Sequence, residues 1–128
     1  MYIKPVIIES NDISEGIFAA SGVGSFTVKA TPKGETLSNG KWVWDLDLYY
    51  SGNEECKNQN VTITFNQSVS DFTTNKGELT SANSGSVMTF TLSQTFRDGN
   101  NKNFQISCVN PVNPEIRPAI SACSATVA

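Results

Sequence analysis

The chain has 128 residues, nine basic against twelve acidic side chains for a net charge of −3, and no histidine. That length is enough for one domain, residues 1–128, to bury a core without a metal. Lysines scattered over a mildly acidic chain leave no electrostatic footprint for nucleic acid or anionic membrane, and no apolar run is long enough to insert in a bilayer. Without histidine, Ser-His-Asp and Cys-His catalysis and His-containing zinc sites are excluded; no C-x-x-C spacing, EF-hand pattern or cofactor motif takes their place.

The elements follow in chain order. The opening Met1-Tyr2-Ile3-Lys4-Pro5 reads as the start of a mature segment, and Tyr2–Glu9 as a strand. Pro5 has no N–H to donate, so this strand belongs at a sheet edge. Phe26, Val28 and Ala30 then alternate with Thr27, Lys29 and Thr31, a period of two that marks a half-buried antiparallel strand. Thr31-Pro32-Lys33-Gly34 and Ser38-Asn39-Gly40 are turns.

"KWVWDLDLYY" (41–50) holds both tryptophans. Trp42, Trp44, Leu46, Leu48 and Tyr50 share one face; Lys41, Val43, Asp45, Asp47 and Tyr49 share the other. Two aspartates cannot both be buried unpaired, so the tryptophan–leucine face is the core face. Trp42, at the strand's start, sits at the rim, and Tyr49 is the ring most suited to exposure. Asp45 and Asp47 stand side by side on one strand, whereas glycoside hydrolysis needs carboxylates facing each other across a cleft. No enzyme is expected.

After the polar loop "SGNEECKNQN", three further alternating runs place Val61, Ile63 and Phe65, then Met88, Phe90 and Leu92, then Phe104, Ile106 and Cys108 on apolar faces. Asn83-Ser84-Gly85 and Asp98-Gly99-Asn100-Asn101 punctuate them. Pro111, Pro114 and Pro118 loop the chain toward a last strand near Ile120–Val127. Short alternating strands separated by turns, with no helical stripe, predict an all-β antiparallel sandwich, immunoglobulin-like or jelly-roll-like. A hairpin centred near Glu115 and Ile116 sets Cys108 opposite Cys123, which favours a Cys108–Cys123 disulfide over pairings with Cys56. The composition points to a secreted, extracellular protein, and Asn60-Val61-Thr62 and Asn66-Gln67-Ser68 match glycosylation acceptors.

From about Gly24 to Ile120 the chain resembles the family-two cellulose-binding modules, on the segments "SNGKWVWDLDLYYSGNE" and "VTITFNQSVSDFTTNKGELTSANSGSVMTFTLSQTFRDGNNKNFQISC". The resemblance implies a noncatalytic β-sandwich binding a polysaccharide, cellulose or chitin in class, through exposed rings. Carried over by position, the rings fall at or beside Phe72 and at Phe96; the early tryptophan of the family has no counterpart in "KGETLS". The expected sugar-binding set is therefore Trp42, Tyr49, Phe72 and Phe96, with Asn75 and Gln94 as hydrogen-bonding partners. The alternative reading is a structural or adhesive subunit of an extracellular assembly, self-associating through strand addition by residues 2–9.

Overall fold

A computed structural model describes residues 24–33 and 40–128. Its strands are β1 (Ser25–Pro32), β2 (Trp42–Ser51), β3 (Gln59–Thr74), β4 (Glu78–Leu79), β5 (Gly85–Leu92), β6 (Asn101–Val109) and β7 (Ile120–Val127). All pairings are antiparallel, in the order β1-β2-β6-β3-β5-β4 with β7 also beside β3. The fold is the all-β, sandwich-like arrangement that the alternating runs predict. The strand expected over residues 2–9 lies outside the described residues.

The ladder folds over on itself because β3 belongs to both halves. Its first part, Gln59–Thr64, lies between β5 and β7. Its last part, Ser70–Thr74, pairs with β6. Three irregularities make the crossing. Against β7, one step on β3 from Thr64 to Phe65 matches two on its partner, from Ala122 to Ile120. Against β5 the register jumps between Thr64 and Val69. Against β6, Ser70 pairs with Val109 and Thr73 with Ser107, so three steps on β3 match two on its partner. The extra residue is a β-bulge, which sharpens the bend and twist of the strand that carries it. It coincides with Asp71, at φ +52° the one non-glycine residue with left-handed backbone among those described.

The bulge decides which side chains go inside. Val61, Ile63, Phe65 and Val69 are odd-numbered and buried; after Asp71 the parity flips and Phe72 is buried instead. Phe65 and Phe72 then meet edge to face with centroids 6.2 Å apart. Phe65 also packs on Trp44 of β2, and Phe72 on Phe90 of β5, so the two halves share one core. On β2 the alternation is regular: Trp44, Leu46, Leu48 and Tyr50 are each at most 2% exposed, while Asp45 and Asp47 face out.

The sequence places Cys123 in a hairpin with Cys108, and the structure corrects this. β6 already has β2 on one edge and β3 on the other, so no edge remains for β7. Residues 110–119 instead cross to the other half, where β7 lies on β3 with Cys123 opposite Ile63; Cys108 sits opposite Trp42. Cys56, Cys108 and Cys123 are all buried thiols, and no disulfide forms.

Asp71 supplies a test of the bend. Glycine adopts left-handed backbone without the Cβ clash, and a β-branched residue suffers it fully. Asp71→Gly should therefore be neutral or stabilising by up to ~1 kcal/mol, and Asp71→Val destabilising by ~1–2 kcal/mol. Urea denaturation of both variants checks the sign. Equal stabilities would mean that the bend does not depend on this backbone conformation.

Candidate functional site

The outer face of the β1-β2-β6 layer, continued by the end of β3, is built entirely from the polar halves of the alternating strands. Along β2 it presents Val43, Asp45, Asp47 and Tyr49, and along β6 Asn103, Gln105 and Ser107, in direct cross-strand register. Thr27 and Lys29 of β1 stand opposite Tyr49 and Asp47. At this side-chain spacing cross-strand partners interact, and here they do so by hydrogen bonds. The Asn103 amide donates to Asp47 at 2.9 Å and the Gln105 amide to Asp45 at 3.3 Å. The Thr73 and Ser107 hydroxyls are 2.7 Å apart.

Asn75 finishes the row. Its backbone N–H donates to the Gln105 carbonyl at 3.0 Å, and its side-chain oxygen accepts the Gln105 backbone N–H at 2.9 Å. The side chain thus continues the β3–β6 ladder one step beyond the strand. A shallow hollow of about 280 Å³ lies here, lined by Lys41, Val43, Thr73, Asn75, Gln105 and Ser107. Tyr49 stands farther along the face, 44% exposed, and is the one exposed aromatic ring among the described residues.

Of the six sugar-binding residues expected from the sequence, the structure brings Tyr49 and Asn75 onto this face and sends the other four elsewhere. Phe72 is 1% exposed, because the bulge at Asp71 turned it inward. Phe96 is 0% exposed. It exchanges two backbone hydrogen bonds with Cys56, at 2.9 and 2.7 Å, and its ring stands edge-on to Phe26 at 5.0 Å. Both rings are core residues, unavailable to a ligand in this conformation.

Trp42 is buried at the rim. Its indole N–H donates to the Pro114 carbonyl at 3.0 Å, and the Arg117 guanidinium lies 5.6 Å from its ring, so the 110–119 crossover covers it. Gln94 belongs to a different cluster. Its backbone N–H and C=O are both engaged by the side chain of Gln59, which is fully buried and also donates to the Cys56 sulfur at 3.3 Å. That amide acts as a side-chain splice between two loops.

Thr73, Asn103, Gln105 and Ser107 were missed as site residues, although the signal was present. The alternation that put Phe104 and Ile106 inside places Asn103, Gln105 and Ser107 outside by the same rule. What the sequence withheld was the neighbour: only the β2–β6–β3 strand order sets these amides beside Asp45, Asp47 and Thr73.

Chemically, this face can hydrogen-bond and stack. Asp45 and Asp47 lie on one strand, each with an amide partner. No cluster of three or more His, Cys, Asp or Glu side chains suited to a metal occurs among the described residues. Neither a family model nor a characterised protein matches this sequence.

The buried thiol of Cys108 yields a pH prediction. Burial pushes its pKa up from 9.0 to about 12, with Lys41 opposing weakly. Burial, reinforced by the neighbouring acidic groups of Cys56, Glu54 and Asp98, also raises the Tyr50 phenol. Both groups hold their protons more tightly folded than unfolded, so their stability is fully present below the unfolded pKa and is lost as pH rises. Between about pH 9 and 12 the unfolding free energy should fall by up to ~1.4 kcal/mol per pH unit on account of Cys108. Denaturation midpoints across this range should decline less steeply in Cys108→Ala, whatever its stability at neutral pH. An unchanged slope would contradict the assignment.

Proposed function

We propose that this protein is a noncatalytic module that binds an extracellular polysaccharide of the neutral β-glycan class on the outer face of β2, β6 and the end of β3. The observation that carries the reading is the union on one sheet face of an exposed tyrosine ring with a register of amides, carboxylates and hydroxyls. A pyranose presents an apolar C–H face to a ring and hydroxyls that both donate and accept hydrogen bonds. Asn103, Gln105, Asn75, Asp45, Asp47, Ser107 and Thr73 supply both halves of that exchange. Their positions are already held by cross-strand hydrogen bonds and ladder pairing, so little side-chain entropy is lost on binding.

The reading differs from the ring platform expected by family resemblance in one respect: a single tyrosine, and no row of rings, makes the stacking contact. Affinity must then come mainly from hydrogen bonds, which discriminate between sugars by the placement of hydroxyls. A soluble glycan strand lying along the face fits this better than the flat surface of a crystalline polymer.

Retention on a panel of insoluble and soluble polysaccharides, by pull-down and affinity electrophoresis, tests the proposal. The folded protein should be retarded by at least one neutral β-glycan. Tyr49→Ala should weaken binding by roughly ten- to a hundredfold, the scale of one lost anchor contact, and Gln105→Ala by a smaller factor. Val112→Ala, on the exposed crossover loop, should bind as the parent does. A folded protein that no glycan retards, or a Tyr49→Ala variant with full affinity, would overturn it.

A further inference from the structure

The two layers carry charge unequally. β1, β2 and β6 hold Lys29, Asp45, Asp47 and Lys102, whereas β5, β7 and residues 59–70 of β3 hold no Asp, Glu, Lys or Arg. Register sets the outward side chains of that second layer in rows. Thr126, Asn60 and Thr91 stand side by side across β7, β3 and β5, then Ser124, Thr62 and Thr89, then Ala122, Thr64 and Val87. Thr80 extends the middle row, its hydroxyl 2.9 Å from that of Thr89. Glu78 of β4, opposite Thr91, brings a charge to the margin of the face.

Such a face is a poor outer surface as it stands. Soluble proteins intersperse charges over exposed sheet faces and edges, because an uncharged and partly apolar one invites association. Here threonine methyls surround Val87, which is 48% exposed, and Ala122 is exposed as well. The same face holds two asparagines in acceptor triplets, Asn60-Val61-Thr62 and Asn66-Gln67-Ser68. Both asparagines are exposed. Neither side chain makes a hydrogen bond among the described residues, whereas those of Asn58, Asn75, Asn103 and Asn110 are all engaged.

We propose that Asn60 and Asn66 are N-glycosylation sites and that their glycans shield this charge-free face. The co-substrate is a lipid-linked oligosaccharyl pyrophosphate. The asparagine Nδ2 attacks the anomeric carbon of the oligosaccharide; a C–N bond forms, the C–O bond to the pyrophosphate breaks, and one amide proton is released with the lipid pyrophosphate. Transfer takes place on the extended chain, so the fold must afterwards carry the product. It can, because each acceptor side chain is exposed and has no hydrogen bond to surrender. The two lie six residues apart on β3, ~20 Å at the rise of a strand, so two glycans spread over the length of the face. A bulky, hydrated glycan solubilises a surface, which is what the missing charges leave undone. The inference shares only its extracellular setting with the proposed polysaccharide binding, and it concerns the other layer.

The full chain, secreted from eukaryotic cells behind a cleavable leader, tests this. Enzymatic release of N-glycans leaves aspartate in place of each modified asparagine, and peptide mass should mark positions 60 and 66. Asn60→Gln and Asn66→Gln should each lose one glycan, and the double variant both. Light scattering should show the glycan-free double variant, folded by circular dichroism, associating as its concentration rises while the parent stays monomeric. Thr62→Ala/Ser68→Ala, which abolishes the triplets and keeps both asparagines, should behave alike. An unmodified asparagine at either position in the secreted, folded protein would overturn the proposal, and so would glycan-free variants that stay as monomeric as the parent. Retention of the double variant on β-glycans reports separately on the face of β2 and β6, where Tyr49 and Gln105 are untouched.

Discussion

The break in β3 between Thr64 and Asp71 sets the layout of the molecule. A sixteen-residue strand with unbroken alternation would keep one face inward along its whole length and remain in one layer. With register shifts after Thr64 and one extra residue in left-handed backbone at Asp71, β3 bends, changes partners from β5 and β7 to β6, and exchanges its inward parity. Everything downstream depends on this. Phe72 enters the core and joins Phe65 to Phe90. Thr73 turns outward to meet Ser107. The filled edges of β6 send β7 across to the opposite half.

Asp71 also marks where sequence reading stops. Alternation identified the strands and divided the faces of β2 and β6 correctly, because burial of a half-covered strand is a local property with a strict period of two. It put Trp44, Leu46 and Leu48 inside and Tyr49 outside. A bulge breaks that period without a strong residue signal: Asp71 lies within "QSVSDFTT", where no glycine or proline announces a bend. Uninterrupted parity from Val61 and Ile63 would leave Phe72 on the outer face; the expectation of an exposed ring there came from the resemblance, which compares positions and not directions.

Long-range choices were hidden for a related reason. Adjacency alone predicts a hairpin between β6 and β7, and with it a Cys108–Cys123 disulfide. The competition for the edge of β6 is won by the end of β3, through Ser70 and Thr73, and nothing local to the 110–119 segment reveals that. Phe96 was misjudged through a different kind of contact. The loop residues 52–58 and 94–100 carry little periodicity, yet they are joined by the Cys56–Phe96 bridge, the buried Gln59 amide, the Gly52–Asp98 hydrogen bond and the Arg97–Glu55 ion pair. Such clips between loops close the open end of a sandwich and draw an aromatic ring under them.

How the chain uses its rings bears on what its surface can recognise. Nearly every aromatic side chain among the described residues is committed to the core, where a ring buries more apolar area than any aliphatic residue. A chain only 38% apolar needs them there, because its strands otherwise alternate with threonine, serine and asparagine. The cost of that commitment falls on the outer face, which keeps one tyrosine and a lattice of hydrogen-bonding groups. A surface of this composition gains little from covering a ligand and much from matching it. Recognition on it therefore depends on strand register: Asp47 opposite Asn103 and Asp45 opposite Gln105 fix the spacing of donors and acceptors at the spacing of the sheet. Because the β2–β6 pairing on which that pattern rests also holds Leu46 against Phe104 and Trp44 against Ile106, the core that consumes the rings is what holds the polar face in register.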